Sequence, residues 1–154
     1  MGVSRTKLRL LCLISILTFA PYSMASDSLV FGGVGFSDSA ATVGTGLQVD
    51  APGSDLGLAI SARVGSTYDG GLHGAVSGEL RYAFDVFTYV PWAGVGLGLR
   101  LDDEVVVFPQ ATLGLAMMQG FDDALGIFLT KPISFSGLSA PFPFEIGLYW
   151  SRRF

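Results

Sequence analysis

Apolar and polar residues alternate with period two along most of this chain, and short polar turns interrupt the alternation. From Leu56 onward, Leu56, Leu58, Ile60, Ala62 and Val64 take one parity. Gly57, Ala59, Ser61, Arg63 and Gly65 take the other. Successive side chains of a strand point to opposite faces, so one face is hydrocarbon and the other small or charged. The next segment repeats this, with Leu72, Gly74, Val76, Gly78, Leu80, Tyr82 and Phe84 against His73, Ala75, Ser77, Glu79, Arg81, Ala83 and Asp85. The pattern predicts about eight strands: Leu29–Phe36, Ala41–Val49, Leu56–Gly65, Leu72–Phe84, Phe87–Leu101, Val105–Met118, Ala124–Lys131 and Phe144–Phe154. Turn chemistry separates them, for example Ser37-Asp38-Ser39, Asp50 to Asp55, Asp69-Gly70-Gly71 and Gly120 to Asp123. Pro91 and Pro109 fall within predicted strands, where each removes a ladder hydrogen bond, and point to bulges or strand ends.

A soluble sandwich also alternates, so the make-up of the second face decides the fold. That face is mostly Gly, Ala and Ser with isolated charges, which suits the crowded interior of a narrow barrel better than a water-facing sheet. After Lys7 the only lysine is Lys131, whereas soluble sheets commonly blunt their edges with lysine. Half the chain is apolar and 14% is charged, yet no run beyond residue 25 is long and apolar enough for a membrane-spanning helix. Backbone groups in lipid must be paired internally, which leaves a closed sheet as the way to span. The expectation is an all-β fold, a closed antiparallel transmembrane β-barrel over residues 26–154.

The first 25 residues set the expected compartment. Arg5, Lys7 and Arg9 precede an apolar stretch from Leu10 to Ala20, and Ser23-Met24-Ala25 offers small residues for a signal peptidase. The stretch is too short for a retained anchor. Leu11 stands before Cys12 where a lipoprotein signal would carry a small residue. Cleavage after Ala25 removes the only cysteine and leaves 129 of the 154 residues. It also removes three basic residues and no acidic one, so the formal charge moves from −4 to −7, which argues against nucleic acid as a partner.

The chain ends in Glu145-Ile146-Gly147-Leu148-Tyr149-Trp150-Ser151-Arg152-Arg153-Phe154. Trp150 and Phe154 share a parity with Ile146 and Leu148, which places both rings at a membrane interface. A last strand ending in phenylalanine resembles the assembly signal of bacterial outer-membrane barrels, although Arg152 stands where a second aromatic would be expected. Tyr89-Val90-Pro91-Trp92-Ala93-Gly94-Val95-Gly96-Leu97-Gly98 is similar to a strand of OmpA-like and opacity-type barrels. The resemblance covers most of residues 26–154 as architecture and about twenty residues as motif. It implies an outer-membrane location, lipids, lipopolysaccharide and the assembly machinery as partners, and a monomer. The roles it implies are structural, adhesive or pore-forming. The threading puts both termini on the periplasmic side, with only the loop from Pro132 to Pro143 long on the outside.

Candidate chemistry is sparse. His73 is the only histidine, and Ser77 and Glu79 share its parity. A triad needs a nucleophile–base hydrogen bond and a third group to orient the base. The lipid A deacylase family places a serine two residues after its histidine, and here that position is Ala75. Asp102-Asp103-Glu104 and Asp122-Asp123 lack the ligand spacing of a calcium loop and read as solvated turns. No catalytic, cofactor or metal site is expected. The informative residues are the inward charges Arg63, Glu79, Arg81, Arg100, Glu145 and Arg153, with Gln48, Gln110 and Tyr149 beside them. Confined charges need partners, so Glu79 and Glu145 are expected to pair with arginines across the lumen. The leading expectation is a non-enzymatic envelope or surface protein. A small pore, made possible by the glycine-rich interior, comes second, and a lipid-modifying enzyme third.

Overall fold

The computed structural model describes residues 28–84, 88–101, 105–133 and 144–154. Eight strands follow one another in it: β1 (Ser28–Phe36), β2 (Ala40–Asp50), β3 (Leu56–Thr67), β4 (Leu72–Ala83), β5 (Tyr89–Leu101), β6 (Val105–Met118), β7 (Asp123–Pro132) and β8 (Glu145–Arg153). Each pairs antiparallel with the next, and β1 pairs with β8 from Leu29 opposite Arg153 to Phe36 opposite Ile146. The sheet is therefore a closed barrel with no free edge. Residues 1–25, Asp85, the Asp102-Asp103-Glu104 turn and most of the loop from Pro132 to Pro143 lie outside the described residues.

One end of the barrel carries Ser28, Phe154 and the β2–β3, β4–β5 and β6–β7 turns, and is called here the terminus end; the other is the loop end. Among the turns, Gly53 and Gly70 hold φ of 67° and 92°, a left-handed conformation that side chains resist. β3 runs two residues beyond its expected end, because the Thr67 amide donates to the Gly71 carbonyl at 2.8 Å and closes the β3–β4 turn. In the same turn the Thr67 hydroxyl, and then the Gly71 amide, donate to Asp69 and hold its carboxyl below the ordinary range.

Neither in-strand proline makes a bulge. Pro91 pairs with Leu115, and Pro109 with Leu97, in one unbroken β5–β6 register. The Pro91 carbonyl accepts from Phe84 at 2.8 Å, just past the last β4–β5 pair, Ala83 with Trp92. The Pro109 carbonyl accepts from Ile133 at 2.8 Å, just past the last β6–β7 pair, Gln110 with Pro132. The missing N–H of each proline faces the last contact of one ladder, so each proline costs only the terminal reciprocal bond there and leaves the β5–β6 ladder whole.

Burial is inverted relative to a water-soluble domain. Leu58, Leu80, Val95, Leu97, Leu113 and Leu148 are all more than half exposed, whereas Glu79, Gln110, Thr112 and Ser151 are buried. Gln110, 1% exposed, is the largest fully buried side chain among the described residues. Apolar residues outside and polar ones inside is the distribution that a lipid solvent selects.

Candidate functional site

The strand parity aims the polar residues of all eight strands at the barrel axis, and their densest cluster is at mid-height. Glu79 on β4 is its centre. Its Oε1 accepts from Gln110 Nε2 at 2.5 Å and from Thr112 Oγ1 at 2.7 Å, both on β6. Its Oε2 accepts from Arg81 Nε and Nη2, each at 2.9 Å. β5 lies between β4 and β6, and the reach across it needs Gly96 opposite Glu79 and Gly94 opposite Arg81. A Cβ on Gly96 would run into the Gly78 carbonyl and Glu79 Cα. The Arg81 guanidinium is held between two rings, 4.6 Å from the centroid of Phe31 and 4.4 Å from that of Trp92. Each such contact is worth about 0.5–2 kcal/mol. Trp92 Nε1 then donates to Tyr149 Oη at 2.8 Å. Phe31 on β1, Arg81 on β4, Trp92 on β5 and Tyr149 on β8 form one layer across the lumen.

Two further charge groups flank this layer. Toward the loop end, Arg63 Nη1 meets Glu145 Oε2 at 2.6 Å, and Thr42 Oγ1 donates to the other Glu145 oxygen at 2.5 Å. Toward the terminus end, Gln48 Nε2 donates to Asp50 Oδ1 at 2.6 Å, while Arg153 stands 3.6 Å from Asp50 Oδ2. Arg81 Nη1 reaches Gln48 Oε1 at 3.5 Å, linking the central layer to this lower group.

The inward rings have a common arrangement. Phe31 pairs with Gly46, Trp92 with Gly114, Phe108 with Gly98, Phe128 with Gly147 and Tyr149 with Gly126, each directly across a ladder. A Cβ on any of these glycines would collide with the ring opposite. The glycines are therefore beds for aromatic side chains. They do not widen the lumen.

Among the described residues, two cavities of about 50 Å3 each lie above the layer, one between it and the Arg63–Glu145 pair and one beside His73, Phe108 and Gln110. Either has room for a few waters at most. Below the layer a vestibule of about 550 Å3 opens at the terminus end, with Phe31, Arg81, Trp92 and Tyr149 as its floor.

Of the charges singled out in the sequence, Arg63, Glu79, Arg81 and Glu145 come together in the middle of the lumen, and Arg153 lies at the vestibule mouth with its side chain 57% exposed. Arg100 faces inward near the loop end, in register with Ala75 and Val106. His73 is buried inside, near the loop end, and Ser77 bonds to Ser61 at 2.7 Å. Asp123 pairs with Arg152 at 3.0 Å. Among the described residues no cluster of His, Cys, Asp or Glu is placed to hold a metal. Trp150 and Phe154 both lie on the outward face, about half exposed. Sequence reasoning missed Phe31, Trp92 and Asp50. Trp92 shares the parity of Gly94, Gly96, Gly98 and Arg100, so the signal was present. Asp50 was assigned to the turn but is the last residue of β2.

These features define a small closed eight-stranded barrel with an apolar exterior and a charged, ring-packed interior. The sequence matches no protein family and no curated protein. Among solved structures it is similar to the N-terminal β-barrel domain of Pseudomonas aeruginosa OprF, with a TM-score of 0.68 at 15% identity over 85% of this chain and 100% of that one. Neisserial surface protein A matches with a TM-score of 0.60 at 12% identity, over 82% and 94% of the two chains. The outer membrane enzyme PagL matches with a TM-score of 0.55 at 18% identity, over 82% and 99%.

Proposed function

We propose that this protein is an integral barrel of the bacterial outer membrane with a closed lumen, and that it acts in envelope structure or surface interaction rather than in transport or catalysis. The observation that carries the reading is the cross-lumen layer of Phe31, Arg81, Trp92 and Tyr149, anchored on Glu79. An ion on the axis would have to part a buried ion pair and two stacked rings. Parting a buried pair costs about 3–5 kcal/mol. The apolar outward face, the signal-peptide pattern and the outward Trp150 and Phe154 support the membrane setting. Partners in this reading are outer-membrane lipids, lipopolysaccharide at the loop end and the assembly machinery that reads the last strand. The lipid-modifying reading finds no support at His73, which is buried in the lumen and is followed two residues on by Ala75, where the lipid A deacylase family places a serine.

The test is planar-bilayer recording on the refolded protein, together with heat-modifiable migration on gels. Wild type is expected to insert, shift on heating and pass no steady current. Trp92→Ala removes the largest ring of the layer and is expected to let small ions through. Steady conductance of the wild type would overturn the closed-lumen reading, and a protein that stays soluble would overturn the membrane one.

A further inference from the structure

Arg152 breaks the aromatic pattern of the last strand, and the closed-lumen reading gives it no role. It faces outward at the terminus end, between Val30 on β1 and Asp123 on β7, with its side chain 49% exposed. One hydrogen-bonded row above it, Gly32, Trp150, Leu125, Met117 and Tyr89 run side by side across β1, β8, β7, β6 and β5. These residues, with Leu148 and Ile127 in the row above, line an apolar groove of about 530 Å3 on the barrel exterior. That volume lies within the range of roughly 300–1,000 Å3 typical of small-molecule sites. Gly32 contributes to the recess because it lacks a side chain, while Tyr89 and Trp150 contribute amphipathic rings of the kind that sit at headgroup level.

Below the groove lies an ion pair. Arg152 Nη2 donates to Asp123 Oδ2 at 3.0 Å, which occupies one of the five donors a guanidinium carries. The Asp123 side chain is 31% exposed beside it, so the pair presents one positive and one negative group at the foot of the groove. A partly exposed cation paired with one carboxylate suits a headgroup that carries both signs better than one that carries only negative charge.

We propose that this groove seats one acyl chain of a zwitterionic phospholipid, with the lipid phosphate on Arg152 and its ammonium on Asp123. The proposal rests on the membrane reading above, since only there does the groove meet acyl chains. It makes the Trp150–Arg152 segment a lipid-binding element in addition to an interface anchor.

The barrel is refolded into vesicles of equimolar phosphatidylethanolamine and phosphatidylglycerol, extracted in mild detergent and examined by native mass spectrometry for retained lipid. Wild type is expected to keep one phosphatidylethanolamine, at about fivefold excess over phosphatidylglycerol, as a single surface charge contact allows. Gly32→Leu fills the recess. A Cβ there meets only the Gly44 carbonyl at an ordinary 3.7 Å, so this variant should insert normally and lose the retained lipid. Gly78→Leu is the control, because a Cβ on Gly78 meets nothing within 4 Å and the residue lies on β4, outside the groove. It should retain lipid like wild type. Arg152→Gln, at an exposed position, should lose the headgroup preference. Equal retention of the two lipids by an inserted wild type, or retention unchanged in both Gly32→Leu and Arg152→Gln, would overturn the proposal alone. Failure of the wild type to insert would overturn the membrane reading with it.

Discussion

The two halves of the lumen are lined by the same alternation of residues, yet they differ about fivefold in free space. Among the described residues, cavities of about 50 Å3 and 50 Å3 lie above the Phe31–Arg81–Trp92–Tyr149 layer, and a vestibule of about 550 Å3 lies below it. The upper half carries Glu79, Arg63, Glu145, Phe108 and Phe128 on its inward positions. The lower half carries Ala83, Ala116, Ala124, Val90 and Ser151. Strand geometry is constant through both, so it does not decide between plug and cavity. Side-chain size does, together with the glycine that lets a large residue lie down across the neighbouring strand. The lower half holds charges as well, but Asp50 and Arg153 meet at 3.6 Å in the open mouth, where water screens them.

If this contrast is right, substitutions in the plug should be costly and those in the vestibule mild, as read from urea unfolding midpoints of the refolded barrel. Glu79→Ala is expected to cost most, about 3–5 kcal/mol, because it strands a buried guanidinium between two rings. Gly114→Ala should follow at about 1–3 kcal/mol, since its new methyl meets the Trp92 ring, and shrinking that ring to leucine should recover part of the loss. For the upper ion pair, Arg63→Ala and Glu145→Ala made singly and together should give a coupling of about 1–3 kcal/mol. Strictly additive effects would show that their 2.6 Å contact contributes nothing. Arg153→Ala should cost less than about 1 kcal/mol. A loss there as large as that of Glu79→Ala would erase the distinction between the two halves.

The architecture was legible because period-two alternation reports directly which face each residue takes, and eight alternating runs closed as expected. Which charges point inward could also be read, because parity carries that information for Arg63, Glu79, Arg81 and Glu145 alike. How they meet could not. Glu79 takes its donors from Arg81, two residues along its own strand, and from Gln110 and Thr112, two strands away. Inter-strand stagger sets that reach, and no single strand encodes it. The glycines misled for a physical reason: a glycine reads as empty space until the residue opposite is known. Gly46, Gly98, Gly114, Gly126 and Gly147 each face a ring, and pairing partners emerge only with the register. For Pro91 and Pro109 the sequence points to bulges or strand ends, and the choice falls to ladder ends once the β4–β5 and β6–β7 registers are placed.

The pairing of rings with glycines also bears on how the lumen can change over generations. Each such pair is one unit of volume shared between two strands, so enlarging one member requires shrinking the other in the same step or soon after. Among the described residues the outward Leu, Val and Ile away from the Arg152–Asp123 pair and its groove meet no such partner, and can be exchanged one at a time. Drift over most of the outer face is thus single, and drift inside the barrel is coupled across the ladder.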